Sequence, residues 1–210
     1  KVFVYQPWSA PVIHVILPLS IYFKLVDLTN RIVDDKNSKN FGMDLAGEIK
    51  IEFDIKNSLL KEIDFEKYIL GLSNTYFEIV SSQYHYPEVD GNLLPPDLLF
   101  SFKKRIDSLE LVQAWFNDQK DNEYNPKHKH DGLLSGVLYL KIPEYLPDRK
   151  SSNKRKIQSI DGSIEFTGNE SATTGFITQP SILINPKEKD LFLFPSTLSH
   201  QVYPFRTADG

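Results

Sequence analysis

Three of the five histidines in this 210-residue chain stand where their side chains could meet at a metal ion. His128 and His130 lie in Tyr124-Asn125-Pro126-Lys127-His128-Lys129-His130-Asp131, and His200 closes Phe194-Pro195-Ser196-Thr197-Leu198-Ser199-His200. On extended backbone successive side chains point to opposite faces, so residues two apart present their imidazoles on the same side. A third ligand must then come from elsewhere, and His200 occupies a second β-like stretch far along the chain. Imidazole nitrogen suits iron, zinc, copper and nickel. A bare His-x-His among lysines equally fits a solvated pair, so the surrounding sequence has to decide.

The elements that would position these residues are legible in outline. Residues 19–35 place Ile21, Leu25, Leu28 and Ile32 at helical spacing, with Ser20 as the expected N-cap. Residues 57–82 do the same with Leu59, Ile63, Tyr68, Leu72 and Phe77, interrupted at Gly71. Residues 12–19 read as a buried strand, and residues 47–55 alternate polar and apolar like a half-buried or edge strand. From about residue 100 the pattern changes to short strands punctuated by Pro, Gly and Asn: 109–117, 124–130, 134–142, 163–167, 181–184, 191–194 and 200–205. That density predicts a sandwich or barrel, with the N-terminal helices covering one sheet. The polar, basic stretch 148–159 reads as a mobile loop. With no repeat and no linker of domain scale, 1–210 is expected to be one domain: 1–100 as helical support and outer strands, 101–210 as a β core.

Composition narrows the chemistry. Hydrophobic content of 40% with 25% charged residues is ordinary for a globular protein. A net charge of −4 argues against a general nucleic-acid or anionic-membrane binder, although residues 150–156 form a local basic cluster. The chain has no cysteine, which excludes disulfides, thiolate metal sites and cysteine nucleophiles. Any metal site must therefore use His and carboxylates. The apolar run at 12–19 is too short to span a bilayer and is broken by Pro18.

Three blocks carry a resemblance: Ala114-Trp115-Phe116-Asn117; Asn122 to Gly132 followed by Leu134-Ser135-Gly136-Val137-Leu138-Tyr139-Leu140; and Asp190 to Phe205. In that order they resemble the Fe(II)/2-oxoglutarate oxygenases of tailed phages and marine bacteria, a branch of the prolyl 4-hydroxylase-like superfamily. The resemblance implies a mostly β fold with some α: a double-stranded β-helix, or cupin-like jelly roll, flanked by N-terminal helices. It implies Fe(II), 2-oxoglutarate and O2 as cofactor and co-substrates, with succinate and CO2 released as a C–H bond is hydroxylated. It also implies that iron is held by His-x-Asp or His-x-Glu on one strand and a distal His on another. His128 and His200 match the two histidine positions.

The middle position departs, because His130 stands where a carboxylate is expected. His130 itself ligating is the reading that strand geometry favours; Asp131 reaching in through a bulge, or only two protein ligands, are the alternatives. A third imidazole in place of a carboxylate leaves the metal site more positive and more attractive to an anionic co-substrate. In the superfamily an Arg or Lys on the last strand commonly grips the distal carboxylate of 2-oxoglutarate. Arg206 follows His200 closely, beyond Pro204, and is the candidate within the chain; the resemblance places the final strand and its cation more naturally beyond Gly210.

Further co-substrate candidates are Asn117, Gln119, Tyr124 and Tyr139, with Asn125 and Ser135 also flanking the metal strand. Two of these six are expected to reach the pocket. Leu134, Val137, Leu138, Phe192 and Phe194 are candidates for an apolar wall, while His14 and His85 read as structural and Glu48, Glu52 and Asp54 as a solvated acidic face. The expected partners are a small-molecule co-substrate and a prolyl or other peptide side chain, with no nucleic acid or membrane, in the cytoplasm (a host's, for a phage protein). Two other readings compete: a three-histidine cupin-like metal enzyme that does not use 2-oxoglutarate, and a non-catalytic binding or structural jelly roll.

Overall fold

The computed structural model describes residues 2–5, 11–35, 38, 40, 48–83, 109–145, 160–168 and 181–207. His85 and the basic stretch 148–159 lie outside these. The chain divides into two compact units, one formed by 1–54 with 115–210 and the other by 55–114.

The first unit is mostly β. Its strands are β1 (Val2–Tyr5), β2 (Val12–Ile16), β3 (Glu52–Asp54), β4 (Trp115–Asn117), β5 (Asn125–His128), β6 (Leu134–Leu138), β7 (Ile164–Thr167), β8 (Ser181–Ile184), β9 (Asp190–Pro195) and β10 (Ser199–Val202). Two four-stranded sheets, in the orders β1-β2-β9-β6 and β5-β10-β7-β8, are accompanied by the pair β3-β4, and every pairing is antiparallel. Alternation along the strands decides what each sheet buries. Phe192 and Phe194 of β9 meet Ile164 and Phe166 of β7, Val12 of β2 and Leu198 in one cluster, with Val137, Tyr139, Ile182, Ile184 and Val202 packed around it. The two sheets thus share a core of aromatic rings, Phe166 lying 4.9 Å from Phe194 and 6.0 Å from Phe192 between centroids.

Helix α1 (Leu19–Asp34) buries Leu25, Leu28 and Thr29, the face its periodicity predicts. It starts two residues earlier than the Ser20 cap implies: the cap position is Pro18, whose carbonyl accepts from the amides of Ile21 and Tyr22, and no side chain caps the end. The Tyr22 hydroxyl donates to the Leu140 carbonyl at 2.9 Å, tying the helix to the chain just beyond β6.

In the second unit the single helix expected over 57–82 is two, α2 (Asn57–Glu62) and α3 (Phe65–Gln83). The break falls at Asp64, which has φ 63°, and not at Gly71, through which α3 runs unbroken. Asp tolerates this left-handed turn better than most residues. The turn resets the helical phase, so Leu60, Ile69, Leu72 and Tyr76 are buried while Leu59, Ile63, Tyr68 and Phe77 are half-buried. The ends of this unit meet through Ile55 N–H to the Ala114 carbonyl (2.8 Å) and the Asn57 amide to the Leu111 carbonyl (2.6 Å). No helix among the described residues is long and apolar enough to cross a membrane.

The alternating segment 47–55 forms only the short strand β3, against β4. Glu48 and Asp54 are exposed, but Glu52 is buried at 2% exposure, which corrects its reading as part of a solvated face. Its backbone amide donates to Asn40 Oδ1 at 2.9 Å, holding β3 on the side away from β4.

Candidate metal centre

β5 is the outer strand of its sheet, and its neighbour β10 brings His200 directly opposite His128. Further along, Val202 faces Asn125, so the register shifts by one residue between the two pairs. Pro126 lies in that interval. Proline cannot donate to a ladder and is accommodated at edges and bulges, so residue type and irregularity agree. Beyond the strand, the His130 amide donates to the Ser196 carbonyl (3.0 Å), and the Ser196 hydroxyl donates to the Gly132 carbonyl (2.6 Å). The turn between β9 and β10 therefore fixes the segment that carries His130.

The result is a converging set of three imidazoles. One ring nitrogen from each of His128, His130 and His200 lies within 4.8 Å of the others. His128 Nε2 and His130 Nε2 are 3.2 Å apart. Two nitrogens that share an ion at about 2.1 Å stand roughly 3.0–3.4 Å apart for right-angled to tetrahedral geometry. The remaining nitrogens are used as metal ligands use them. His128 Nδ1–H donates to the Pro126 carbonyl (2.6 Å) and His200 Nδ1–H to the Leu198 carbonyl (3.0 Å). Because a carbonyl only accepts, each of these bonds leaves Nε2 with its lone pair available.

Burial reinforces that state. His200 is 2% exposed, and burial, partly opposed by its bond to the Leu198 carbonyl and aided by His128 and His130, holds its pKa down to about 4. His130 is lowered too, by burial first and by His128, with Asp131 pulling the other way. Neutral imidazoles are what a metal requires. Aromatic rings enclose the set: Phe194 lies 4.8 Å from His200, Phe166 6.3 Å from it, and the Trp115 edge 5.5 Å from His130. Trp115, Phe166 and Ser196 escaped the sequence reading as site residues. The Trp in Ala114-Trp115-Phe116-Asn117 was visible, but its meeting His130 joins the β3-β4 pair to the segment beyond β5, in another sheet.

The other predicted residues are placed as follows. Asp131 is exposed. Asn117 is exposed on β4, Gln119 donates to the Glu123 carbonyl (2.6 Å), and Tyr124 is exposed with its carbonyl accepting from the Glu48 amide. Asn125 and Ser135 are half-buried, Ser135 directly across from Phe194. The Tyr139 hydroxyl is buried with no hydrogen-bond partner, its ring against Phe192, and burial raises its pKa with Tyr145 and Asp190 adding. Arg206 is paired with Asp161 at 3.1 Å.

Phe192 and Val137 lie in the shared core beside Phe194, whereas Leu134 and Leu138 alternate to the opposite face of β6 from Val137. His14 is structural: Nε2 meets Asp190 Oδ1 at 2.9 Å and the ring stacks on Phe192 at 4.7 Å.

The arrangement can hold a divalent metal by three neutral nitrogens on one face, leaving positions for exogenous ligands. Residues 113–210 match the family model described as Putative 2OG-Fe(II) oxygenase. Among curated proteins none gives a significant match.

Proposed function

From the match of residues 113–210 to the 2OG-Fe(II) oxygenase family model, we propose that the chain is an Fe(II)- and 2-oxoglutarate-dependent dioxygenase that hydroxylates a C–H bond. The observation that carries the reading is the convergence of the His128, His130 and His200 nitrogens, with His128 and His200 tethered through Nδ1 so that Nε2 is presented. On this reading the two four-stranded antiparallel sheets are the halves of a double-stranded β-helix, and the neighbouring strands β5 and β10 of one sheet hold the metal.

Iron bound there supplies the oxidising chemistry, in which O2 and 2-oxoglutarate are consumed, succinate and CO2 released, and the substrate C–H converted to C–OH. The protein's share is to bind, orient and exclude water. The three imidazoles fit iron by ligand type. The Ser196 carbonyl and hydroxyl fix the backbone at His130 and Gly132, the C-terminal end of the His-x-His segment, and Phe166 and Phe194 keep water from the inner side of His200. With no carboxylate in the set, the metal keeps more positive charge for a dianionic co-substrate. Ser135, half-buried and directly across from Phe194, and Asn125, half-buried on the strand that carries His128, are candidates to touch it; Tyr139, packed against the core, is another. A prolyl or other peptide side chain is the proposed substrate and the cytoplasm the proposed location.

A second reading has its own observation: the absence of a carboxylate at the middle ligand also suits a three-histidine metal enzyme that does not use 2-oxoglutarate. Succinate release measured with Fe(II) and 2-oxoglutarate separates the two. It should require both additions and vanish in a His128→Ala, His200→Ala double variant; release that persists in that variant would remove the site from the reaction.

A further inference from the structure

Away from the histidines, two carboxyl groups are buried, each with one oxygen that no donor meets among the described residues. Glu52 on β3 is 2% exposed and Glu123, in the loop before β5, is 6% exposed. Glu52 Oε2 and Glu123 Oε1 are each buried without a hydrogen-bond partner. The second oxygen of Glu123 accepts from the Lys120 amide at 2.9 Å. The strand and the loop are brought side by side by Asp118 N–H to the Ile51 carbonyl (2.9 Å) and Glu48 N–H to the Tyr124 carbonyl (3.0 Å).

No cation answers them among the described residues of the neighbouring elements. Lys120 is turned to Asp118 at 2.9 Å, and Asp121 is engaged by the amide and hydroxyl of Thr207. Lys50, Glu48 and Asp54 are exposed, Asn117 faces Glu52 across the strand pair, and Asn40 accepts from the Glu52 amide. Two ionised carboxylates buried in this way would be strongly unfavourable, and nearby like charges cannot both ionise cheaply. We propose that Glu52 keeps its proton at neutral pH and donates it toward the unpartnered oxygen of Glu123, a bond that locks β3 to the loop leading into β5. In keeping with this, burial first and Glu123 second push the Glu52 carboxyl above its usual range.

The pair would make one edge of the metal centre proton-linked, because β3 is the partner of β4, which carries Trp115 against His130. A carboxyl whose pKa is raised on folding stabilises the fold fully below its unfolded pKa, and that contribution is lost as pH rises through the folded value. The lock should therefore weaken from about pH 4.5 upward.

The test uses the full chain at pH 4.5 to 8, as wild type, Glu52→Gln and Glu123→Gln, with and without Ca2+ or Mg2+. The expected result is a Tm at pH 8 higher by about 2–5 °C in Glu52→Gln, a difference that closes toward pH 4.5. A protonated-carboxyl infrared band should be present in wild type at pH 7 and absent from the variant. Should Glu52→Gln fail to fold, Glu123→Gln carries the same Tm expectation. A Tm unchanged or lowered at pH 8 with no protonated-carboxyl band at pH 7 overturns the retained proton. So does stabilisation of the wild type by Ca2+ or Mg2+ that Glu52→Gln abolishes, since the pair would then be a cation site.

Discussion

Replacing Phe166 by Ala tests the link between the shared core and the metal centre. The ring is fully buried, stands between Phe192 and Phe194, and reaches to 6.3 Å from the His200 imidazole. Truncating a buried Phe costs about 3–5 kcal/mol, because the lost transfer energy is joined by the cavity left behind. For a chain in this size range each kcal/mol moves Tm by about 2–4 °C, so a fall of about 6–20 °C is expected. The same cavity frees His200. Its Nδ1 bond to the Leu198 carbonyl fixes one point of the ring, and its tilt is then set by Phe194 on one side and Phe166 on the other.

Supporting interactions of this kind are worth about 10–100-fold in metal affinity. Chemical denaturation would read the stability, and titration with Co(II), followed by its absorption, the affinity. Phe166→Leu, which keeps most of the volume, should recover most of both. A loss below about 1 kcal/mol would refute the placement of Phe166 at the heart of a common core. A full loss of stability with unaltered Co(II) affinity would refute its role in steadying His200.

Two further outcomes follow from local geometry. Gly162 has φ 66° and a Cβ there would overlap the Tyr145 hydroxyl, whereas Gly132, at φ 94°, has open space around it. Gly132→Ala should therefore cost about 1–3 kcal/mol for backbone strain alone, and Gly162→Ala distinctly more, as compared by thermal unfolding. Glu165 accepts from Tyr203 (2.6 Å) and Gln201 (2.5 Å); burial pushes its pKa up, but bonds from Ser181, Tyr203 and Gln201, with Lys127, outweigh it and leave the pKa lowered. A lowered carboxyl stabilises above its unfolded pKa and loses that contribution as pH falls through the folded value. Tyr203→Phe should flatten the decline of Tm on acidification below about pH 4.5; an unchanged acid limb would show that the Tyr203 bond contributes nothing to Glu165.

What was legible in the sequence was whatever depends on near neighbours. The strands β7 and β8 and the run of β9 lie within a residue of their expected bounds, because alternation and apolar runs are local signals. His128 and His130 converge because extended backbone brings residues two apart to one side, and that too is local. Glu52 was not legible: alternation assigns it to the face away from Ile51 and Phe53, but only the pairing with β4 and the loop at Glu123 decides that this face is buried. Nor was the break at Asp64, since apolar spacing continues across it and a single left-handed residue leaves no compositional trace. Trp115 meeting His130 is a contact between the β3-β4 pair and the segment beyond β5, which belongs to another sheet, and no alternation or spacing records it.

The one-residue shift in register between the His200–His128 and Val202–Asn125 pairs means that β5 carries a spare residue, since three steps separate Asn125 from His128 where two separate His200 from Val202. β5 is an outer strand, so a residue gained or lost there disturbs one ladder and leaves the other side of the sheet paired. Loss of one residue in Pro126-Lys127 would take up that slack and leave an even ladder with His128 still opposite His200. The same loss at Lys129 has no slack to draw on and would turn His130 to the opposite face. The metal centre thus tolerates the loss of one codon on one side of His128 and not on the other.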